Sequence, residues 1–247
     1  MSEIRILHMY ADMLDLYGDG GNMEILSYRC AKRGIRCVID KYSIDSDMPD
    51  FSSYDVIYIG GGADLEQQHI SADLLKCRDR IKEAYENGTF LFLICGGYQL
   101  MGKYYRDADG NEIAGLGLFD YYTIAPESRK KRCIGNVVIR TDFTGATVNV
   151  VGFENHGGQT QGVTTPLGEV LCGNGNCSKS KHEGYFEKNV IATYMHGPCL
   201  SKNPEISDYI IGYCLDHKYG SHAELTKLDD TLEYDCRRVM TERLLNK

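Results

Sequence analysis

No stretch of about 18 apolar residues occurs in the 247-residue chain, so the sequence offers no membrane-spanning helix. Its start, Met1-Ser2-Glu3-Ile4-Arg5, leads straight into a strand-like run. It lacks the basic-then-apolar plan of a secretory signal, and a cytoplasmic protein is expected. A basic stripe is missing as well. The formal net charge is −8, and the cluster Arg129-Lys130-Lys131-Arg132 spans only four residues. Nucleic acid is therefore not an expected partner, and such a run reads first as a solvated loop. No Gly-x-x-x-x-Gly-Lys-Ser/Thr loop is present to cradle ATP phosphates. Zinc spacing is approached only by Cys172-Gly173-Asn174-Gly175-Asn176-Cys177 with His182 beyond, and no second tight pair lies nearby. A Gly/Asn turn between strands is expected there, and no metal. Internal repeats and low-complexity linkers are also lacking.

What is present is an ordinary globular composition, 43% hydrophobic and 25% charged, in a chain long enough to bury a real core. Ten cysteines are scattered along it, a usage that predicts reduced thiols. The first half alternates strand and helix. Apolar runs at 4–9, 35–42, 55–59 and 90–94 read as strands, and 23–33 and 65–87 as helices. Asn22 is the expected cap of the first helix, and Gly34 stands just past its end. The fully apolar run 90–94 is the kind buried on both faces of a parallel sheet. This βαβα order implies a mostly parallel sheet with helices on both sides. Shorter strands are expected at 121–124, 137–140, 147–153, 168–171 and 190–195. A helix is expected from Asn203-Pro204-Glu205 to about residue 217, and another over 229–245. Residues 1–200 are predicted to form the catalytic α/β domain, with helices over 201–247 continuing it.

The chemistry concentrates at Cys95. It ends the buried strand, and Gly96, Gly97 and a helix follow. A nucleophile on a sharp strand-to-helix turn needs small neighbours. The turn aims the sulfur into the crevice at the carboxyl ends of the strands, beside a helix N-terminus that favours thiolate. His196 is the best-placed base, after the apolar run 190–195 and before Gly197-Pro198. Gly60-Gly61-Gly62 follows the preceding strand and can aim backbone N–H groups at an oxyanion, with the Gly96 amide as a second donor.

These segments, in this order, resemble the cobyric acid synthase-like branch of triad-type glutamine amidotransferases. The match rests on Ile94-Cys95-Gly96-Gly97-Tyr98-Gln99, Gly115-Leu116-Gly117-Leu118-Phe119, Gly152-Phe153-Glu154-Asn155-His156-Gly157-Gly158 and Tyr194-Met195-His196-Gly197-Pro198. The whole chain is similar, more closely, to the amidotransferase subunits of lipid II isoglutaminyl synthases. Supporting segments are Leu14-Asp15-Leu16-Tyr17 with Gly21-Asn22, Ile59-Gly60-Gly61-Gly62-Ala63-Asp64 with Glu66-Gln67, and Arg132 shortly before Gly135-Asn136-Val137-Val138-Ile139.

The resemblance implies a three-layer class I glutamine amidotransferase fold with a C-terminal helical extension. It implies that Cys95 forms a glutamyl thioester and that His196 is general base and acid. Arg132 would hold the α-carboxylate of L-glutamine, a task suited to a bidentate guanidinium. Gly61, Gly62, Gly96 and Gln99 are the other candidate substrate contacts, and helix packing is an equal reading for Gln99. No cofactor is expected in this chain. ATP and Mg are expected on a MurT-type, Mur-ligase-like partner, which would pass the ammonia to lipid II in a heterodimer. The helix from about residue 229 is the candidate contact for that partner. Another carboxylate acceptor, such as a cobyrinate-type acid, is the alternative. One departure stands out. Many triad enzymes carry His-x-Glu, and here the glutamate position is Pro198. Glu154 and Asp19 are available carboxylates, but the sequence places neither against His196. His156 is a competing base.

Overall fold

The computed structural model describes residues 2–127, 131–220 and 224–246. Arg129 and Lys130 of the basic run lie outside the described residues. The central sheet has the strand order β13-β14-β4-β3-β1-β2. Its members are β1 (Glu3–Met9), β2 (Arg36–Tyr42), β3 (Val56–Ile59), β4 (Phe90–Ile94), β13 (Tyr185–Glu187) and β14 (Val190–Thr193). All neighbours pair in parallel except β13 and β14. After β1 the chain adds β2 on one side, then turns back and adds β3 and β4 on the other. Right-handed crossovers then set the helices of the two halves on opposite faces. That reversal leaves a crevice at the carboxyl ends of the central strands.

Burial explains the layers. Every residue of β4 is buried, as the unbroken apolar run requires of a central strand. Helix α1 (Gly21–Ala31) follows β1. Helix α2 (Asp64–Glu86) buries Ile70, Leu74, Cys77, Ile81 and Ala84, an alternation of four and three residues that defines one face. Helix α3 (Gly96–Met101) is buried throughout. Helix α4 (Pro204–Tyr219) buries Ile206, Ile210, Ile211, Cys214 and Leu215. Each such isoleucine or leucine contributes about 1.5–3 kcal/mol. Helix α5 (Thr231–Leu245) buries none of its own residues. It is fastened by ion pairs instead, Arg29 with Asp230 just before it and Arg237 with Glu205.

Asn22 does not cap α1. Gly20 occupies the N-cap, and Asn22 lies buried in the first turn. Its amide donates to the Tyr58 hydroxyl at 3.1 Å and its oxygen accepts from the Leu200 amide at 3.0 Å. A buried amide satisfied by tertiary partners has outcompeted the local cap.

Two small sheets hold the shorter strands. One has the order β10-β7-β5-β6 and the other β12-β11-β8-β9. They comprise β5 (Tyr104–Arg106), β6 (Glu112–Ala114), β7 (Tyr122–Ile124), β8 (Cys133–Thr141), β9 (Val148–His156), β10 (Gln159–Gln161), β11 (Gly168–Cys172) and β12 (His182–Glu183). Of these, β7, β8, β9 and β11 answer the runs expected at 121–124, 137–140, 147–153 and 168–171, while β5, β6, β10 and β12 were not expected. The end of β9 joins the central sheet region through a bridge in which His196 N donates to Phe153 O at 2.8 Å.

Candidate active site

Four loops leave the carboxyl ends of four adjacent parallel strands and meet. Cys95 follows β4, His196 follows β14, Gly61 follows β3, and Asp19 lies in the loop after β1. Cys95 adopts φ 47°, ψ −98°. This left-handed conformation is strained for a residue with a Cβ, and strain of about 1–3 kcal/mol persists only where the surroundings enforce it. Here the Cys95 amide donates to Thr193 O at 2.8 Å, and its carbonyl accepts the first α3 bond, from Gln99 N at 2.9 Å. Gly97 must be glycine, because a Cβ there would stand 2.5 Å from Ile59 O.

The carboxylate that meets His196 is that of Asp19. Its Oδ2 stands 2.8 Å from His196 Nδ1 and accepts the Gly61 amide at 3.0 Å. Asp19 is fully buried, with His196 1% and Cys95 4% exposed. Gly61 lies at the centre. A Cβ built on it would lie 2.7 Å from His196 Cε1, 2.9 Å from Asp19 Oδ2 and 3.2 Å from Cys95 Cβ. Only glycine lets the three approach. His196 Nε2 is buried without a partner of full hydrogen-bond geometry among the described residues, and Cys95 favours its protonation by charge first and by a looser hydrogen-bonding contact as well. Burial works against the imidazolium. The Cys95 charge and the Asp19 carboxylate outweigh it and raise His196 to about 10. For Asp19, burial pushes the carboxyl up while the bonds from His196 and Gly61 oppose that shift.

The ring of His156 is engaged elsewhere. Its Nδ1 is 2.6 Å from Gly158 O, its Nε2 turns toward Glu154 at 3.8 Å, and its ring stacks on Tyr194 with centroids 3.6 Å apart. The stretch 172–177 is the turn expected, and it serves Glu154. The amides of Asn174 and Gly175 donate to that carboxylate at 2.6 and 2.9 Å. Burial opposes the Glu154 charge, but these bonds and His156 hold its pKa below the usual value. All ten cysteines are unbridged, and the described residues hold no His/Cys/Asp/Glu group able to bind a metal.

A cleft of about 230 Å³ opens over the sulfur, lined among others by Gly62, Asp64, Gln99, Arg132 and Asn155. That is below the roughly 300 Å³ at which drug-sized sites begin, and suits a small amino acid. Gly61 touches the triad, yet its amide is committed to Asp19 and cannot serve a substrate oxyanion. The amides of Gly62 and Gly96 have no partner among the described residues. They lie close together, since a Cβ on Gly96 would be 3.2 Å from Gly62 N. Gln99 lines the cleft with both amide atoms engaged, accepting from Gln67 Nε2 at 3.0 Å and donating to the Tyr194 hydroxyl at 3.2 Å. Arg132 reaches the same cleft from an exposed position, with Nη2 3.1 Å from Asn155 Oδ1.

Sequence reasoning quoted Tyr17 and Asn155 only as family segments. In the structure, Tyr17 sits edge-on to His196 with centroids 5.0 Å apart, and its hydroxyl pairs with Asn155. Its φ of 59° on a non-glycine residue is a signal that appears only in three dimensions.

The CobB/CobQ-like glutamine amidotransferase domain matches residues 5–204. The chain is 40% identical to the GatD subunit of the glutamine-hydrolysing lipid II isoglutaminyl synthase of Staphylococcus aureus, over 98% of this chain and 97% of that one. It is 36% identical to the corresponding GatD subunit of Streptococcus pneumoniae, over 94% of this chain and 88% of the other. A probable cobyric acid synthase of Methanococcus maripaludis is 34% identical over 63% of this chain and 33% of its own length. Among solved structures, PurLQS from Thermotoga maritima shares the fold. Its TM-score is 0.56 at 16% identity, covering 88% of this chain and 99% of that one.

Proposed function

This chain belongs to the CobB/CobQ-like glutamine amidotransferase family, and from that premise we propose that it is the glutamine-hydrolysing subunit of a lipid II isoglutaminyl synthase. The observation that carries the catalytic part is the buried line Cys95–His196–Asp19 beneath a cleft with two unpartnered amides. The Cys95 thiolate attacks the carboxamide carbon of L-glutamine. The Gly62 and Gly96 amides receive the oxyanion, and the His196 imidazolium gives its proton to the departing ammonia. A glutamyl thioester remains. The sulfur is then uncharged, so the largest influence that holds the proton on His196 is gone. The neutral imidazole, kept in its tautomer by Asp19, takes a proton from the attacking water, and glutamate leaves.

The acceptor and partner rest on the relatives. The GatD match spans nearly all of both chains, α4 and α5 included, whereas the cobyric acid synthase match covers 63% of this one. Isoglutaminyl synthesis in lipid II is therefore the reading supported best. A MurT-type ligase would bind ATP and Mg and amidate the D-glutamate α-carboxylate with the ammonia delivered. No helix among the described residues is long and apolar enough to cross a membrane, and a cytoplasmic heterodimer fits that division of labour. The outer face of α5 is the candidate contact, with Leu232 73% and Val239 54% exposed.

The test is ammonia release from L-glutamine by the purified pair, wild type against Cys95→Ala. Loss in the variant is expected, and undiminished release refutes the reading. Supplying ATP with lipid II should give an amidated stem peptide. Amidation of a cobyrinate-type acid instead would move the acceptor.

A further inference from the structure

The cleft carries one carboxylate that the chemistry above leaves unused. Asp64 opens α2 but does not cap it, since Ala63 is the N-cap and no side-chain cap bond forms. Its Oδ1 accepts a 2.7 Å hydrogen bond from the Tyr105 hydroxyl on β5. Tyr105 is 1% exposed, so a buried phenol from a different sheet fixes the orientation of this exposed carboxylate. The helix dipole alone would favour an acid in the first turn, but would not require such an anchor. Oδ2 has no partner among the described residues.

Among the described residues lining the cleft, Asp64 is the one carboxylate and Arg132 the one guanidinium. Both also line the adjoining cavity of about 300 Å³, which Cys95 does not line, so both face the space where the cleft continues away from the sulfur. Glutamine presents a matching pattern. With its amide at the sulfur, the two opposite charges of its α-carbon lie at the far end of the side chain. A cleft with a cation alone would accept any carboxylate-bearing amide of the right length. A cation and an anion facing one cavity distinguish the zwitterion.

We propose that Asp64 is a specificity-determining residue that receives the α-ammonium of glutamine while Arg132 takes the α-carboxylate. The site thereby selects the free amino acid over amides in which the ammonium is missing or acylated, as within a peptide. This rests on the glutaminase reading and deepens it. Charge-assisted hydrogen bonds of this kind give both affinity and orientation.

The test compares ammonia release from L-glutamine and from glutaramate, the same amide without the α-ammonium. It uses the full chain with its ligase partner as wild type, Asp64→Asn and Asp64→Glu. Asp64→Asn should raise KM for glutamine about tenfold, or roughly 1.4 kcal/mol, with kcat within about twofold. Its kcat/KM for glutaramate should not fall, so the preference for glutamine collapses, and Asp64→Glu should restore part of it. An unchanged KM for glutamine in an active Asp64→Asn enzyme overturns the proposal alone. An equal loss on both substrates does the same, because it marks a merely structural role. A wild type that releases no ammonia from glutamine overturns the glutaminase reading and this proposal with it.

Discussion

Asp19→Asn tests the triad with almost no change of shape. Asp19 Oδ2 takes both bonds, from His196 Nδ1 and Gly61 N, while Oδ1 is buried without a partner. An asparagine with its oxygen at the Oδ2 position keeps both acceptor contacts and removes only the charge. Raising His196 from 6.5 to about 10 corresponds to about 5 kcal/mol at 1.36 kcal/mol per unit. The Cys95 charge is the largest favourable influence and the Asp19 hydrogen bond the next, and a hydrogen bond to a charged group is worth about 2 kcal/mol. That alone lowers the rate about 30-fold. A flipped amide would also impose the wrong tautomer, and in related triads the same exchange costs about 10⁴ in kcat. The expected fall is therefore between about 30-fold and about 10⁴, measured as ammonia release from saturating glutamine. The alkaline limb of kcat/KM, set by loss of the His196 proton, should move down from about pH 10 toward neutral. A kcat within about threefold of wild type with an unmoved alkaline limb would refute Asp19 as the third member.

Arg132→Ala should raise KM for glutamine about tenfold or more, while Cys95 still reacts with iodoacetamide at the wild-type rate. Lost alkylation would indicate a disturbed elbow rather than a lost carboxylate contact. Glu183 gives a pH-dependent stability. Burial lifts its carboxyl from 4.5 to about 7, against bonds from Tyr194 N and Thr193 Oγ1. A raised acid binds more protons folded than unfolded, so stability is fullest below pH 4.5 and is lost as pH rises through about 7. Glu183→Gln should therefore raise Tm at pH 8, by an amount reflecting at most about 3 kcal/mol, and the advantage should vanish near pH 4.5. A Tm difference independent of pH would contradict this. On α5, Leu232→Glu with Val239→Glu should leave the Tm unchanged and abolish co-elution with the ligase partner on size exclusion. Intact co-elution would exclude this face as the contact.

Much of the fold was legible because its signals are local. The apolar run 90–94 and the 3.6-residue spacing over 65–87 each announce one element, and the structure places them as β4 and α2. Cys95 was legible for the same reason, since an elbow is written in consecutive residues. The small sheets were harder. Strands such as Tyr104–Arg106 and Gln159–Gln161 have three residues each, too few for a period to declare itself, and they form through partners distant in sequence. The Gly96 donor was readable at the elbow, but which amide of the Gly60-Gly61-Gly62 run is free was not, because the Gly61 amide is distinguished from that of Gly62 only by Asp19 lying across from it.

The third member shows most clearly where one-dimensional reasoning stops. A glutamate two residues after the histidine would be visible as a motif, and Pro198 in its place made the triad look incomplete. The structure gives that proline another task. Its ring packs so tightly on Gly21 that a Cβ there would lie 2.5 Å from Pro198 Cγ. Two residues later, the Leu200 amide donates to Asn22 Oδ1. The segment after His196 is thus fastened to the segment after Asp19, through the residue that replaced the glutamate and the asparagine that failed to cap its helix. Tyr58 adds a third tie, its hydroxyl donating to Asp19 O at 2.7 Å and accepting from Asn22. The carboxylate lost from one loop is delivered by another, 177 positions away. Every contact that delivers it joins residues whose spacing in sequence has no period to read.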